Sequence, residues 1–182
     1  KNGVYGSTEW TLSNGVKVVF MPTTLKNDEV RIELVKKGGA SLIETAELPS
    51  FDDNVFALYL QNRGLSKFGA VQLRKMLTGK NVHCDISIGS TSHSVSAVTT
   101  PKDIETAMQL MYLTFVEPRF DQDEYATGIQ QIKAVLPNLK NNPMFLFQNA
   151  VNKIMYGGNE RVVELNEETL AAADLETIKK VY

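Results

Sequence analysis

Hydrophobic and polar residues alternate with the two-residue period of a β-strand in several stretches of the first hundred residues. Residues 8–21 form two β-rich runs around Asn14-Gly15, a pair that is typical of a tight hairpin. The same alternation predicts a strand at 29–35 and a second hairpin made of 82–88 and 94–99. The first half of the chain is therefore predicted to hold an antiparallel sheet built from hairpins.

Apolar residues at helical spacing follow residues that can cap a helix start. Asp121, with Glu124 three residues later, has the spacing of a capping box, and Pro137 is predicted to end the helix that Asp121 opens. The other predicted starts are at Asp52, Ser66, Thr100-Pro101, Asn142, Asn166 and Asp174.

The helix that begins at Pro101 is predicted to be a principal element of the core. Its apolar face is predicted from residues spaced four, three and four apart: Ile104, Met108, Met111 and Phe115. We expect this face to pack against strand residues Ile32, Leu34 and Ile86.

The order of elements is two strands, one strand, two helices, two strands and then mostly helices. This order predicts an α+β fold, with an antiparallel sheet built from hairpins and helices packed on one side of it. One domain over residues 1–182 is the economical interpretation. Because the chain begins at Lys1 and ends at Tyr182 inside a helical pattern, we expect a fragment of a larger protein, truncated at its C-terminus.

The composition, with 43% hydrophobic and 22% charged residues, is ordinary for a soluble globular protein. A net charge of −2 argues against nucleic-acid binding, and no apolar stretch is long enough to span a membrane. Cys84 is the only cysteine, which excludes an internal disulfide. Its alternation with Val82, Ile86 and Ile88 predicts a place on the inner face of a strand.

Common catalytic motifs are missing from the sequence. Gly79-Lys80 resembles the end of a P-loop, but Arg74 replaces the first glycine and Asn81 replaces the hydroxyl residue. No G-x-S-x-G motif occurs. A calcium loop at Asp121, Asp123 and Glu124 would lack its glycine turn, so helix capping is the favoured interpretation of these acids.

His83 and His93 are the only histidines, and Asp85 is predicted to share a strand face with His83. A metal site made of these three residues is one hypothesis. A solvated strand face is favoured, because a single hairpin seldom supplies three converging ligands.

Several segments together resemble one family. They are TEWTLSNGVKVVFMPT at the start, Gly38-Gly39, KMLTGKNV from Lys75, TTPKDIETAMQLMYLTFVEPRFD from Thr99, and the later NNP and YGGNER. They resemble domains of the insulinase/pitrilysin family of zinc peptidases. The similarity is greatest to the second, inactive half of its long bacterial members.

The resemblance implies a protein of two halves that close around a peptide. One half carries H-x-x-E-H, in which two histidines bind zinc and the glutamate is the general base. In this chain the matching helix, near 53–61, reads DNVFALYLQ and contains neither histidine nor glutamate. Val55, Phe56, Tyr59 and Leu60 indicate packing there, and Glu124 has no metal site to complete. No catalytic, cofactor-binding or metal residue is therefore carried over, and zinc is expected only in the active half of the parent.

The resemblance thus predicts a non-catalytic domain of a zinc metallopeptidase that forms part of the chamber enclosing a peptide substrate. Its expected partners are the peptide and the other domains of the same polypeptide, and an exported or periplasmic location is favoured. Two alternatives stay open. One is an inactive assembly module of the same family, and the other is an independent enzyme with a site around His83 and Asp85.

Overall fold

The structure is a computed structural model that describes residues 3–50 and 53–182. Its strands are β1 (Thr8–Thr11), β2 (Lys17–Phe20), β3 (Val30–Lys37), β4 (Val82–Ile88) and β5 (Ser92–Thr99). Its α-helices are α1 (Asp53–Asn62), α2 (Ala70–Met76), α3 (Ile104–Val116), α4 (Gln122–Lys140), α5 (Pro143–Met155), α6 (Glu167–Ala172) and α7 (Leu175–Val181). Short 3-10 helices lie at Gly39–Leu42, Thr45–Ser50 and Pro101–Asp103. The predicted α+β class is confirmed.

The N-terminal hairpin forms a sheet of its own. β1 and β2 pair antiparallel, and Gly15 in the turn has a φ of +84°, a conformation that glycine adopts without strain. Trp10 and Phe20 lie side by side on this ribbon, with ring centroids 6.2 Å apart, and both side chains are largely exposed. The hairpin predicted around Asn14-Gly15 is confirmed.

A second, three-stranded antiparallel sheet has the order β3-β5-β4. β5 is central, so that Thr99 lies opposite Val30 on one side and Val82 on the other. The predicted hairpin of β4 and β5 is confirmed. β3 and β4 are the edge strands of this sheet, and the outer edge of β4 borders the site described below.

Helix α3 covers one face of the three-stranded sheet, but with a different side from the one predicted. Its buried residues are Ala107, Leu110, Met111 and Thr114, whereas the predicted residues Ile104, Met108 and Phe115 are exposed. Met111 and Ala107 pack with Val95 and Ala97 of β5, and Ile32 and Ile86 border this cluster as predicted, while Leu34 is exposed. The prediction was right for Met111 and wrong for Ile104, Met108 and Phe115. Because α3 is apolar around most of its circumference, spacing alone does not select the buried side.

The larger core lies among the helices. Residues of α1, α4, α6 and α7 meet there, together with Ile43 and Leu48 from the segment that follows β3. The most buried side chains in this core include Val55, Phe56 and Tyr59 of α1 and Ile178 of α7. The described apolar side chains of α1 are therefore largely buried in the helical core, as the sequence predicts.

Local capping signals were predicted well. Asp121, Asn142, Asn166 and Asp174 each accept hydrogen bonds from the first N–H groups of α4, α5, α6 and α7, while Asp52 lies outside the described residues. The start predicted at Ser66 was wrong. Ser66 lies in a turn at φ +53°, and α2 begins only after Gly69.

The second error concerns Pro137, which lies inside α4 and does not end it. The proline removes one backbone donor near the end of the helix. Leu136, directly before it, is almost completely buried in the helical core. We infer that this packing keeps the last turn of the helix in place against the local preference of the proline. Among the described residues, no helix is both long enough and apolar enough to cross a membrane.

Candidate functional site: a cleft beside the outer edge of β4

Helix α1 stands where the family resemblance would place zinc. Its described side chains divide between the helical core, which takes Val55, Phe56 and Tyr59, and a cleft bordered by Ala57 and Leu60. The Tyr59 hydroxyl donates to the carbonyl of Arg119 and accepts from the N–H of Asp121, at 3.2 and 2.9 Å. None of these apolar and phenol groups suits zinc, which takes thiolate, imidazole and carboxylate ligands. The described side chains of α1 therefore do not fit the metal.

The cleft has a volume of about 610 Å³ and lies between β4 and the helices α1 and α2, although α1 also contacts β4 directly. We name it the β4 cleft. Its lining is largely apolar on the helical side, with residues of α1, α2 and α3, and it includes the backbone of β4 along most of the strand. The lining residues are Ala57, Leu60, Arg63, Gly64, Leu65, Leu73, Leu77, Val82, His83, Cys84, Asp85, Ile86, Ser87, Leu110 and Thr114.

The outer edge of β4 presents backbone groups to this cleft that no described residue bonds. At the hairpin end the Gly89 N–H donates to the Ser92 carbonyl over 2.8 Å, which marks a hydrogen-bonded pair. Bonded and non-bonded pairs alternate along an antiparallel ladder. Cys84 and Ile86, which lie opposite Ala97 and Val95, therefore belong to non-bonded pairs and direct their N–H and C=O groups away from β5. No other described strand pairs with this edge.

The loop between α1 and α2 is held against the cleft by Glu124. The carboxylate accepts from the backbone N–H of Gly64 at 2.9 Å and from that of Ala70 at 3.0 Å. A side chain at position 64 would be impossible, since a Cβ there would lie 2.0 Å from the carbonyl oxygen of Phe68. The capping box predicted for Glu124 is therefore not formed: Asp121 caps α4, whereas Glu124 fixes this loop.

Arg63 is the charged residue placed deepest at this site. Its exposed fraction is 8%, and its guanidinium lies over the rings of Tyr182 and Phe120, at 4.9 and 5.8 Å from their centroids. It donates to the Tyr182 hydroxyl at 3.2 Å and to the Arg119 carbonyl at 3.5 Å. Among the described residues, no carboxylate lies within ion-pair distance of Arg63. Nothing in the sequence around Arg63 indicates this cage, because both aromatic rings come from distant parts of the chain.

The two histidines do not come together. His83 and Asp85 lie on one face of β4, exposed, with His83 Nε2 at 2.7 Å from Asp85 Oδ2. His93 lies opposite Ile88, on the other face of the sheet and at the other end of the hairpin. Within the part of the chain that the structure describes, no three histidine, cysteine or acidic side chains are close enough to hold a metal ion. The hypothesis of a His83/Asp85/His93 site is therefore not supported.

Cys84 and Lys80, two other residues of chemical interest, are engaged in the structure. Burial raises the pKa of the Cys84 thiol to about 11, against a smaller opposing effect of a hydrogen bond with Thr114. Lys80 lies 3.5 Å from the carboxylate of Asp103. The pKa of Asp103 is lowered, first by the N–H of Asn81 and then by Lys80. The thiol is thus a poor nucleophile, and Lys80 belongs to a structural ion pair.

Comparisons with known proteins agree with this fold. No family model matches the chain, and no curated protein matches it. Among solved structures, the chain is similar to the periplasmic protease PqqL from Escherichia coli, with 17% identity and a TM-score of 0.67 over 96% of the chain. It is also similar to the ferredoxin protease FusC, solved in complex with Arabidopsis ferredoxin, with 14% identity and a TM-score of 0.68 over the whole chain. A third similar structure is a peptidase M16 inactive domain from Pseudomonas fluorescens, with 17% identity and a TM-score of 0.72 over 96% of the chain.

These similarities define the class of fold. The chain has the fold of a peptidase M16 domain, the insulinase/pitrilysin type that the sequence resembles. The chain spans 19% and 20% of the two proteases and 42% of the inactive-domain structure. The similarity therefore concerns one domain of larger molecules, and one of the three is itself an inactive domain.

Proposed function

We propose that the chain is a non-catalytic domain of an insulinase/pitrilysin-type zinc peptidase and that the β4 cleft holds an extended stretch of the peptide substrate. The observation that carries the proposal is the position of the cleft. It lies between α1, whose described side chains offer no metal ligand, and an edge of β4 with which no described strand pairs. Binding without cleavage is what such a cleft can provide.

The chemistry of the cleft suits an extended peptide. Backbone groups of Cys84 and Ile86 offer donors and acceptors at the spacing of a neighbouring strand, so a peptide can add to the sheet beyond β4. Apolar side chains on the opposite wall, such as Leu60, Leu73 and Leu77, can accept alternate side chains of that peptide. Backbone pairing gives affinity with little dependence on sequence, which suits a domain that encloses varied substrates.

The parent's chemistry belongs to another domain in this proposal. Zinc, with histidine ligands and a general base, would sit in an active half, and the other domains of the same polypeptide would be the partners of this one. The similarity to a periplasmic protease supports an exported location as part of the proposal. The complex of FusC with ferredoxin supports a protein or peptide substrate.

Peptide binding can be tested with the 182-residue chain and fluorescein-labelled decapeptides rich in valine and threonine. Fluorescence anisotropy should show saturable binding, and mass spectrometry should show intact peptide after prolonged incubation with zinc. Two isomeric peptides provide the control, one N-methylated at the odd positions and the other at the even positions. Strand addition predicts that one pattern of methylation abolishes binding and the other is tolerated, because only alternate N–H groups face β4.

Equal binding of the two methylated isomers would refute strand addition at β4. Chelator-sensitive cleavage of the unmodified peptide would refute the non-catalytic role. If no decapeptide binds even at millimolar concentration, the enclosing role of this cleft is wrong.

An assembly module is a second candidate, and the outer side of α3 favours it. Ile104, Met108, Tyr112 and Phe115 recur along one stripe of this helix, and all four side chains are largely exposed. A contiguous apolar surface of this kind is typical of an interface between domains. Met108→Glu with Phe115→Glu separates the two candidates: a peptide-holding domain keeps its affinity for the decapeptide, whereas an assembly module loses its partner and has no peptide affinity to keep.

A further inference from the structure

Arg63 lines the β4 cleft as a buried cation that has no acidic partner among the described residues. Burying a charge is costly unless other groups compensate for it. The compensation here consists of two aromatic rings and two neutral oxygens, those of the Arg119 carbonyl and the Tyr182 hydroxyl. A guanidinium has five N–H donors, and among the described residues these two hydrogen bonds leave other N–H groups of Arg63 available to a ligand.

The position of the guanidinium is fixed by its neighbours. Tyr182, whose hydroxyl accepts from Arg63, donates with that same hydroxyl to the carbonyl of Thr114. Thr114 lines the β4 cleft and interacts with the Cys84 thiol, on which Arg63 also acts electrostatically. The charge of Arg63 therefore lies at the end of the cleft where α3 and Cys84 meet, beside the backbone that a bound peptide would join.

The nearby acids are already engaged. Asp85, which also lines the cleft, has its close polar contact with His83 on the exposed face of β4, where Oδ2 lies 2.7 Å from His83 Nε2. Glu124 accepts from two backbone N–H groups and lies 3.5 Å from Arg119. Neither carboxylate is within ion-pair distance of Arg63, so no acid of the described residues neutralises the positive charge at this end of the cleft.

We propose that Arg63 binds a carboxylate of the peptide held in the β4 cleft. This inference rests on the proposed function, since it is the peptide that brings the anion. The planar fork of the guanidinium matches the two oxygens of a carboxylate, and a paired charge in a largely buried place is held strongly. The carboxylate belongs either to the C-terminus of the peptide or to an aspartate or glutamate side chain near the residue opposite Cys84.

The test uses four labelled decapeptides of one valine- and threonine-rich sequence. They have either a free C-terminal carboxylate or an amide, and either a glutamate or a glutamine near the middle. Dissociation constants are measured by anisotropy at constant ionic strength for the wild type, Arg63→Met and Lys67→Met. Lys67 is the matched control, because it is an exposed cation of the same loop that does not line the cleft.

We expect the wild type to prefer one carboxylate over its neutral counterpart by about tenfold, as for a charge-assisted hydrogen bond in a buried place. The preference should vanish in Arg63→Met and persist in Lys67→Met. A preference between acid and amide identifies the C-terminus as the source, and one between glutamate and glutamine identifies the side chain. Equal affinities of all four peptides for the wild type, or a preference that survives in Arg63→Met, would overturn the inference while leaving peptide binding intact.

If Arg63→Met fails to fold, nuclear magnetic resonance of the wild type with ¹⁵N-labelled arginine decides the question. Assignment by Arg63→Lys identifies the guanidinium signal of Arg63. That signal should shift with the carboxylate peptide and stay in place with the neutral one. Identical shifts with both peptides contradict the inference, and failure of every peptide to bind refutes both the inference and the proposed function.

Discussion

Two methionines of α3 offer a direct test of which side of this helix is buried. Met111 is 3% exposed and packs with Val95, Ala97 and Ala107, whereas Met108 is 53% exposed. Both become alanine in the same helix, so the small gain in helix propensity is the same at the two positions and cancels in the comparison. The difference between the two variants therefore measures burial alone.

The expected magnitude follows from what the substitution removes. Losing the buried part of Met111 beyond Cβ costs about 2 kcal/mol of transfer free energy. A residual cavity of about 50 Å³ adds about 1 kcal/mol, at about 24 cal/mol per Å³. Met111→Ala should thus lower the free energy of unfolding by about 3 kcal/mol, and Met108→Ala should change it by less than about 0.5 kcal/mol.

Urea denaturation followed by circular dichroism measures both values. In thermal denaturation, Met111→Ala should lower the midpoint by about 6–12 °C in a chain of this size. Equal losses in the two variants, or a larger loss for Met108→Ala, would mean that α3 is rotated relative to the sheet. A small loss for both would mean that α3 is not part of the core.

Three further predictions concern titrating and metal-binding groups. Because burial raises the pKa of Cys84 to about 11, the thiol should react very slowly with iodoacetamide at pH 8 in the folded chain and at the ordinary rate in urea; equal rates would contradict its burial. The lowered pKa of Asp103 means that its carboxylate stabilises the fold above the unfolded pKa of about 3.9 and that this contribution is lost as the pH falls through the folded pKa. The stability of Asp103→Asn should therefore lie below that of the wild type at pH 7 and converge with it in acid, which denaturation at several pH values can check. Equilibrium dialysis should find no zinc bound stoichiometrically with submicromolar affinity. Tight binding that His83→Ala abolishes would instead support the hypothesis of a metal site on β4.

The sequence was most informative where structure depends on neighbours along the chain. Asn142 and Asn166 cap their helices as predicted because the side chain bonds to N–H groups two or three residues away. The turn at Asn14-Gly15 is equally local. The absence of histidine and glutamate in DNVFALYLQ is likewise readable without a structure, and the buried Val55 and Phe56 agree with the packing role predicted for that helix.

The errors lie where distant segments decide the outcome. The buried side of α3 depends on the sheet that the helix meets, and Ala107 is completely buried against Val95 and Ala97 of β5. Pro137 stays inside α4 because Leu136, directly before it, is buried in the helical core. In the candidate site, the guanidinium of Arg63 is buried because it lies over the rings of Phe120 and Tyr182. No pattern within a few residues of Arg63 predicts a contact with either ring.

The helical core joins the segment that follows β3 to the C-terminal helices, and this has a consequence for how the molecule folds. Lys180 pairs with Glu47 across 133 residues, and Tyr59 bonds to Asp121 across 62. By contrast, β4, β5 and α3 are consecutive within residues 82–116. Contacts between distant residues require the closure of long loops, which costs more entropy and slows folding.

The unit of β4, β5 and α3 should therefore form early, and the docking of α1 and α7 should come later. In pulse-labelled hydrogen exchange, amides of β5 should gain protection before those of α1, and the reverse order would contradict this sequence of events. The β4 cleft takes one wall from the early unit and the other from the late one. It is thus the last surface to be completed, and a chain that has not closed its helical core has a sheet edge but no cleft.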